Sequence, residues 1–106
     1  MFYGCISITD ASCFVIPSNV KRMMSTFEGC TSLVSAPLIH GNINDLRHAF
    51  KGCTSLTGDI TINANYGEFE QCFYNTVKPI TLYGTSVNLA SIAKYCANNG
   101  NVVLGE

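Results

Sequence analysis

Three segments of this chain are copies of one phrase: "MFYGCISIT" at the start, then "TFEGCTSLV", then "AFKGCTSLT". Aligned on the aromatic residue, Phe2, Phe27, Phe50 and Phe73 follow at spacings of 25, 23 and 23. Cys5, Cys30 and Cys53 come three residues later, with Thr76 in the fourth place, and Ile8, Leu33 and Leu56 come six later. This period constrains the fold more than any other feature. A unit of some 23 residues cannot bury an apolar side alone, so each copy must pack on the next.

The residues before each Phe carry a second pattern. Val20-Met23-Phe27, Ile43-Leu46-Phe50, Tyr66-Phe69-Phe73 and Leu89-Ile92-Cys96 are spaced i, i+3, i+7. That spacing predicts short helices with one apolar face. Ser18-Asn19, Gly41-Asn42, Asn63-Ala64-Asn65 and Thr85-Ser86 precede them and supply candidate N-caps. Gly29 and Gly52 stand where a left-handed C-terminal cap is cheap.

Between these segments lie stretches that alternate: "CFVIP", "APLIH", "DITIN", "PITLY" and "NVVLG". Phe14/Ile16, Pro37/Ile39, Ile60/Ile62, Ile80/Leu82 and Val102/Leu104 share one side at period two. The expected fold is an α/β right-handed solenoid. It has four to five short parallel strands, with short helices on the opposite face. A single domain over 1–106 divides into units of about 1–16, 17–39, 40–62, 63–82 and 83–106.

The two ends differ. Only seven residues separate Phe73 from Ile80, against ten from Phe50 to Ile60, as suits a capping unit. No apolar triplet precedes Phe2, so the expectation is an array continuing upstream, in a longer chain. The alternative is an end covered by self-association.

The phrases "TFEGCTSLVSAP" and "AFKGCTSLTGDI", with "MFYGCISIT" as a weaker copy, resemble the BspA-type leucine-rich repeat, whose form is "mFxGCtsLtsaP". The resemblance covers about residues 1–75 and implies a leucine-rich-repeat solenoid. Proteins similar to this family occur on bacterial surfaces, among secreted proteins and in gut-phage proteins. Those with a known role are mostly adhesins or binding proteins. The resemblance therefore implies an extracellular or cell-surface location, with a virion as the alternative. It brings no catalytic residues.

Composition narrows the function classes. Charged residues make up only 12% of the chain and the net charge is −1. No basic cluster offers a surface for a nucleic-acid backbone, so no nucleic-acid partner is expected. No stretch approaches 18 apolar residues, so no membrane insertion is expected. No signal peptide is visible.

The six cysteines admit three readings. Recurrence at one repeat position favours a ladder of buried thiols used as small apolar fillers. An adjacent disulfide is the second reading. A metal site is the third, but there is no C-x-x-C pair and neither histidine flanks a cysteine at ligand spacing. The expectation is no metal and no cofactor. Glu68 and Glu70 are two apart on a predicted helix and do not face each other. No nucleophile, base or acid pair stands out, so no enzyme is expected.

The outward strand face is the expected binding surface. Its predicted rows are Val15, Leu38, Thr61, Thr81 and Val103, then Pro17, His40, Asn63 and Tyr83, with Asp59 on the other flank. The candidate site is therefore Val15, Leu38, His40, Asp59, Thr61, Asn63, Thr81 and Tyr83, with His40 and Tyr83 as anchors. The expected function is a binding or adhesion module for a protein or glycan ligand. The rival is a structural or receptor-binding part of a larger assembly, such as a phage tail or virion, or a homo-oligomer.

Overall fold

The computed structural model describes residues 9–11, 15–64, 67–86, 89–95, 97 and 100–105. These form a small α/β fold with one open three-stranded sheet and one α-helix. The strands are β1 (Gly58–Thr61), β2 (Ile80–Tyr83) and β3 (Val102–Leu104), and the helix α1 (Leu89–Tyr95) lies between β2 and β3. All pairings are parallel, in the order β1-β2-β3. Three expected strands thus stand at "DITIN", "PITLY" and "NVVLG". "APLIH" contributes one parallel bridge, Ile39↔Ile62, and no strand. Residues 15–17 of "CFVIP" form no strand, and 12–14 lie outside the described residues.

The expected repeat positions line one core. Phe27, Phe50 and Phe73 are buried and stack face to face, with ring centroids 5.4 Å apart at each step and planes within 5° and 7° of parallel. Burying each ring contributes roughly 1.5–3 kcal/mol. Each ring-on-ring contact adds about 0.5–1.5 kcal/mol. Met23, Ile43, Leu46, Leu33, Leu56 and Ile92 are buried around this stack. Phe2, Cys5, Ile8, Phe14, Tyr66 and Cys96, which the same pattern assigns to the core, lie outside the described residues.

Cys30, Cys53 and Cys72 are buried thiols. The Cys53 thiol donates to the Phe27 carbonyl at 3.0 Å. Thr76 takes the fourth place of the cysteine column with its hydroxyl satisfied. It donates to the Phe73 carbonyl at 2.7 Å and accepts from Asn101 Nδ2 at 3.0 Å.

The three segments before Phe27, Phe50 and Phe73, expected as helices, are chains of overlapping turns. Thr26 N–H donates to Met23 O, Glu28 to Ser25 and Cys30 to Phe27, all i→i−3. Ala49, Lys51 and Cys53 repeat this on Leu46, His48 and Phe50. The intervening N–H groups point along the stack instead. Those of Met23, Ser25, Phe27 and Gly29 donate to the carbonyls of Asp45, Arg47, Ala49 and Lys51 at 2.7–2.9 Å. Those of Leu46, His48, Phe50 and Gly52 donate to Glu68, Glu70, Cys72 and Tyr74 at 2.7–3.0 Å.

Such bonding needs left-handed residues at fixed intervals, and they are present. Ser25, His48 and Gln71 have φ of 59°, 58° and 52°. Gly29, Gly52 and Asn75 follow with φ of 76°, 78° and 62°. A residue at positive φ cannot continue a right-handed helix. A seven- or eight-residue helix is marginal by itself, whereas aligned acceptors in the next copy satisfy every second N–H. Lateral pairing wins where a matching copy lies alongside. Among the described residues α1 is the only α-helix; its Ile92 is buried, while Leu89 and Ala93 pack against the core.

The copies approach closely at Gly67. A Cβ there would stand 1.8 Å from the Asn44 carbonyl oxygen. Parallel bridges Arg22↔Asp45, Asp45↔Glu68 and Asp10↔Ser35 tie further positions to their equivalents.

Two expectations about the sheet change. First, the register shifts. The strands pair Thr61 with Tyr83 and Asp59 with Thr81, and Thr81 with Val103. Thr61 and Thr81 therefore do not share a row, nor do Asn63 and Tyr83. The reason is that Ile80 is the partner of Gly58 rather than of Ile60. The stretch after Phe73 is shorter by one residue relative to its partner, and β2 enters the sheet earlier. Second, Leu104 is not in the core. It is 47% exposed, at the end of the edge strand.

Candidate functional site

The strand face divides into an apolar part and a polar part. Val15 is 81% exposed and Leu38 is 52% exposed. With Pro17, Ser18, His40 and Asn42 they line a hollow of about 380 Å³. The bridge Ile39↔Ile62 sets Leu38 level with Thr61, which pairs with Tyr83. Val15, Leu38 and His40 thus come together. Asp59, Thr61, Asn63, Thr81 and Tyr83 lie outside this hollow, along the sheet.

The polar side chains at the strand exits hold the copies together. The Asn42 N–H donates to His40 Nδ1 at 3.1 Å, so the ring proton sits on Nε2, which donates to the Pro17 carbonyl at 2.9 Å. Asn42 Nδ2 donates to the Ser18 carbonyl at 3.0 Å. One position further, Asn63 Oδ1 accepts from the Thr85 N–H at 2.9 Å and from its hydroxyl at 3.2 Å. His40 was expected to offer a ligand both ring area and a hydrogen bond. Both of its nitrogens are already engaged within the chain, so the ring surface is what it presents to the hollow. Tyr83 is half-buried and its ring lies against Gly105, where a Cβ would come within 2.2 Å of Cε1.

A second recess lies on the wall of turns, away from the strand-face residues expected to bind. It has a volume of about 570 Å³ and is lined by Arg22, Met24, Asn44, Asp45, Arg47 and Glu68, among others. Asp45 is buried and gripped by Arg47: Nε donates to Oδ1 at 3.1 Å, Nη2 to Oδ2 at 2.9 Å, and the Arg47 N–H to Oδ1 at 3.1 Å. Arg47 Nε also lies 3.1 Å from Glu68 Oε2. The Arg47 hydrogen bond holds the Asp45 carboxyl below the usual carboxylate range, and Asp45 in turn raises Arg47. The signal was present in the repeat. The fifth residue before each Phe is charged, as Arg22, Asp45 and Glu68.

Burial, with the neighbouring Cys30 second, pushes the Cys53 thiol up to about 12. A thiol held protonated is a poor nucleophile. His48 is half-buried on a left-handed turn. Its Nδ1 lies 3.9 Å from Glu28 Oε1. Among the described residues no three His, Cys, Asp or Glu side chains gather where they could hold a metal ion. Among them, too, no helix is long and apolar enough to cross a membrane. Comparison with protein-family models, curated proteins and solved structures gives no match.

Proposed function

We propose that this chain is a leucine-rich-repeat solenoid of the BspA type, with four to five strand turns, acting as a non-enzymatic binding module. Its ligand is a protein or glycan held on the strand face, and its place is the cell surface or the extracellular medium. The stacked Phe27–Phe50–Phe73 column and the 23-residue bridges Arg22↔Asp45↔Glu68 support the repeat architecture. The location rests on the resemblance of the F-x-G-C-T-S-L phrases alone.

One observation carries the functional reading: the hollow that exposes Val15 at 81% and Leu38 at 52% beside the His40 ring. Two large apolar side chains held open beside the sheet suit contact with a partner's apolar surface or a sugar face. The test is a glycan array and an extracellular-protein array probed with the labelled chain, alongside the Val15→Ser/Leu38→Ser double variant. The expected result is a hit that the double variant loses while its circular dichroism is unchanged. Equal binding by both would refute the site.

A specific observation also favours the assembly reading. The sheet's edge strand β3 exposes Val103 at 52% and Leu104 at 47%. Within a phage tail or virion, an added strand would cover that edge.

A further inference from the structure

We propose that the wall of turns around Asp45 and Arg47 is a self-association surface, on which a second copy of this chain seats in the reversed direction.

The chain has only six basic and seven acidic side chains in 106 residues. Lys21, Arg22, Asp45, Arg47, Glu68 and Glu70 nevertheless all stand on this wall. The bridges Arg22↔Asp45 and Asp45↔Glu68 stack three of them in order, and alongside them the Lys21 and Glu70 carbonyls accept from the Asn44 and His48 N–H groups. One end is basic, with Lys21 and Arg22 exposed. The other is acidic, with Glu68 and Glu70 exposed. At the centre Arg47 bridges Asp45 and Glu68, so the acidic end shares Glu68 with Arg47 and keeps the full charge of Glu70. Two strand spacings put the ends about 10 Å apart.

This arrangement is complementary to itself in one orientation. A two-fold axis in the wall, along the chain direction, reverses the stack. It brings Lys21 and Arg22 of one copy against Glu68 and Glu70 of the other, twice over, in a closed isologous pair. An axis along the stack would set like charges opposite and is disfavoured. Lys21 and Arg22 form no side-chain ion pair or hydrogen bond among the described residues, so their charge is available to a partner. The other charges of the wall are turned aside: Glu28 towards His48, and Lys51 over the Tyr74 ring. Met24, 53% exposed beside Arg22 and Arg47, adds apolar area to the contact. The surface is distinct from the hollow at Val15 and Leu38, and the inference does not depend on that hollow's ligand.

The test is sedimentation velocity on the full chain at low and high salt. A dimer is expected at about 0.05 M salt, with its dissociation constant rising at least about tenfold at 0.5 M as the charges are screened. The pair Glu68→Lys/Glu70→Lys makes one wall basic throughout. The pair Lys21→Glu/Arg22→Glu makes the other acidic throughout. Each variant alone is expected to be monomeric, and their equimolar mixture to form a one-to-one complex. A wild-type chain that stays monomeric at low salt overturns the proposal. So does a salt-insensitive dimer, a variant that dimerises like the wild type, or a folded pair of variants that stays monomeric when mixed. If either variant fails to fold, the salt dependence of the wild type decides.

Discussion

Replacing Gly67 with alanine tests whether the copies are held as closely as the structure places them. The new Cβ would stand 1.8 Å from the Asn44 carbonyl oxygen, 2.4 Å from its carbon and 2.7 Å from its Cα. All three are backbone atoms, so no rotamer change relieves the clash. The copies must separate, which strains two bonds beside the contact: Glu68 N–H to Asn44 O at 3.1 Å and Leu46 N–H to Glu68 O at 2.7 Å. Each contributes about 1 kcal/mol. The φ of 122° at Gly67 adds strain for any L residue, about 1–3 kcal/mol. The total is about 3–5 kcal/mol, a large share of the ~5–15 kcal/mol that holds a small domain together. Gly58→Ala is the control. Its φ is 89°, but nothing lies within 4 Å of the added carbon, so only backbone strain of about 1–2 kcal/mol remains. In urea unfolding followed by far-ultraviolet circular dichroism, a slope of ~1–2 kcal/mol per molar predicts a midpoint lower by about 3 M for Gly67→Ala. Gly58→Ala should fall by about half that or less. Equal shifts would show that close approach of the backbones contributes nothing, and would refute the reasoning.

Phe50→Ala removes the central ring of the stack and should cost about 3–5 kcal/mol, read as a lower midpoint in the same assay. Gln71→Gly relieves a left-handed residue at φ 52° and should leave stability unchanged or raise it by up to about 1 kcal/mol. Gln71→Ala should give no such gain. Cys53 should resist alkylation at pH 8 in the folded chain and react once urea unfolds it, as mass spectrometry would show. Because its folded value near 12 exceeds the unfolded one, the unfolded state loses the proton first. Stability should therefore fall as pH rises from about 9 towards 12, and the fall should shrink in Cys53→Ala. Asp45 has the opposite sign. Its lowered folded value means that its stabilisation is present above the unfolded value of 3.8 and is lost as pH falls below it. Asp45→Asn should flatten the acid limb of a stability–pH curve.

Burial was the readable part of the sequence. Phe27, Phe50 and Phe73, the Leu33 and Leu56 positions, and Cys30 and Cys53 are buried where the period places them. Three alternating stretches contain the three strands. The same i, i+3, i+7 spacing yields the helix α1 at Leu89 and Ile92 but turns before Phe27, Phe50 and Phe73, because it describes which side chains share a face and not how their peptides bond. Met23 and Phe27 share the core in a chain of turns as they would in a helix. The register differs for a related reason. Aligning Ile60 with Ile80 matched like with like, but the sheet pairs Ile60 with Leu82.

The candidate site was legible only in part. Val15 and Leu38 follow from strand alternation and do stand exposed. The full engagement of His40 could not be read, since its partner Pro17 lies 23 residues away and is reached through a backbone oxygen. The charged column of Arg22, Asp45 and Glu68 recurs in the repeat, but its lateral pairing exists only once the copies stack.

Side-chain chemistry repeated at a period of about 23 residues was enough to dictate a stacked apolar core, because burial depends on which residues recur. Only the tertiary structure decided that the segment before each Phe would bond sideways. The acceptors for Met23, Ser25 and Phe27 belong to residues 22 positions further on. They exist as partners only once the next copy has packed alongside. After Phe73 that matching copy gives way to α1, and the chain satisfies its own N–H groups in a helix.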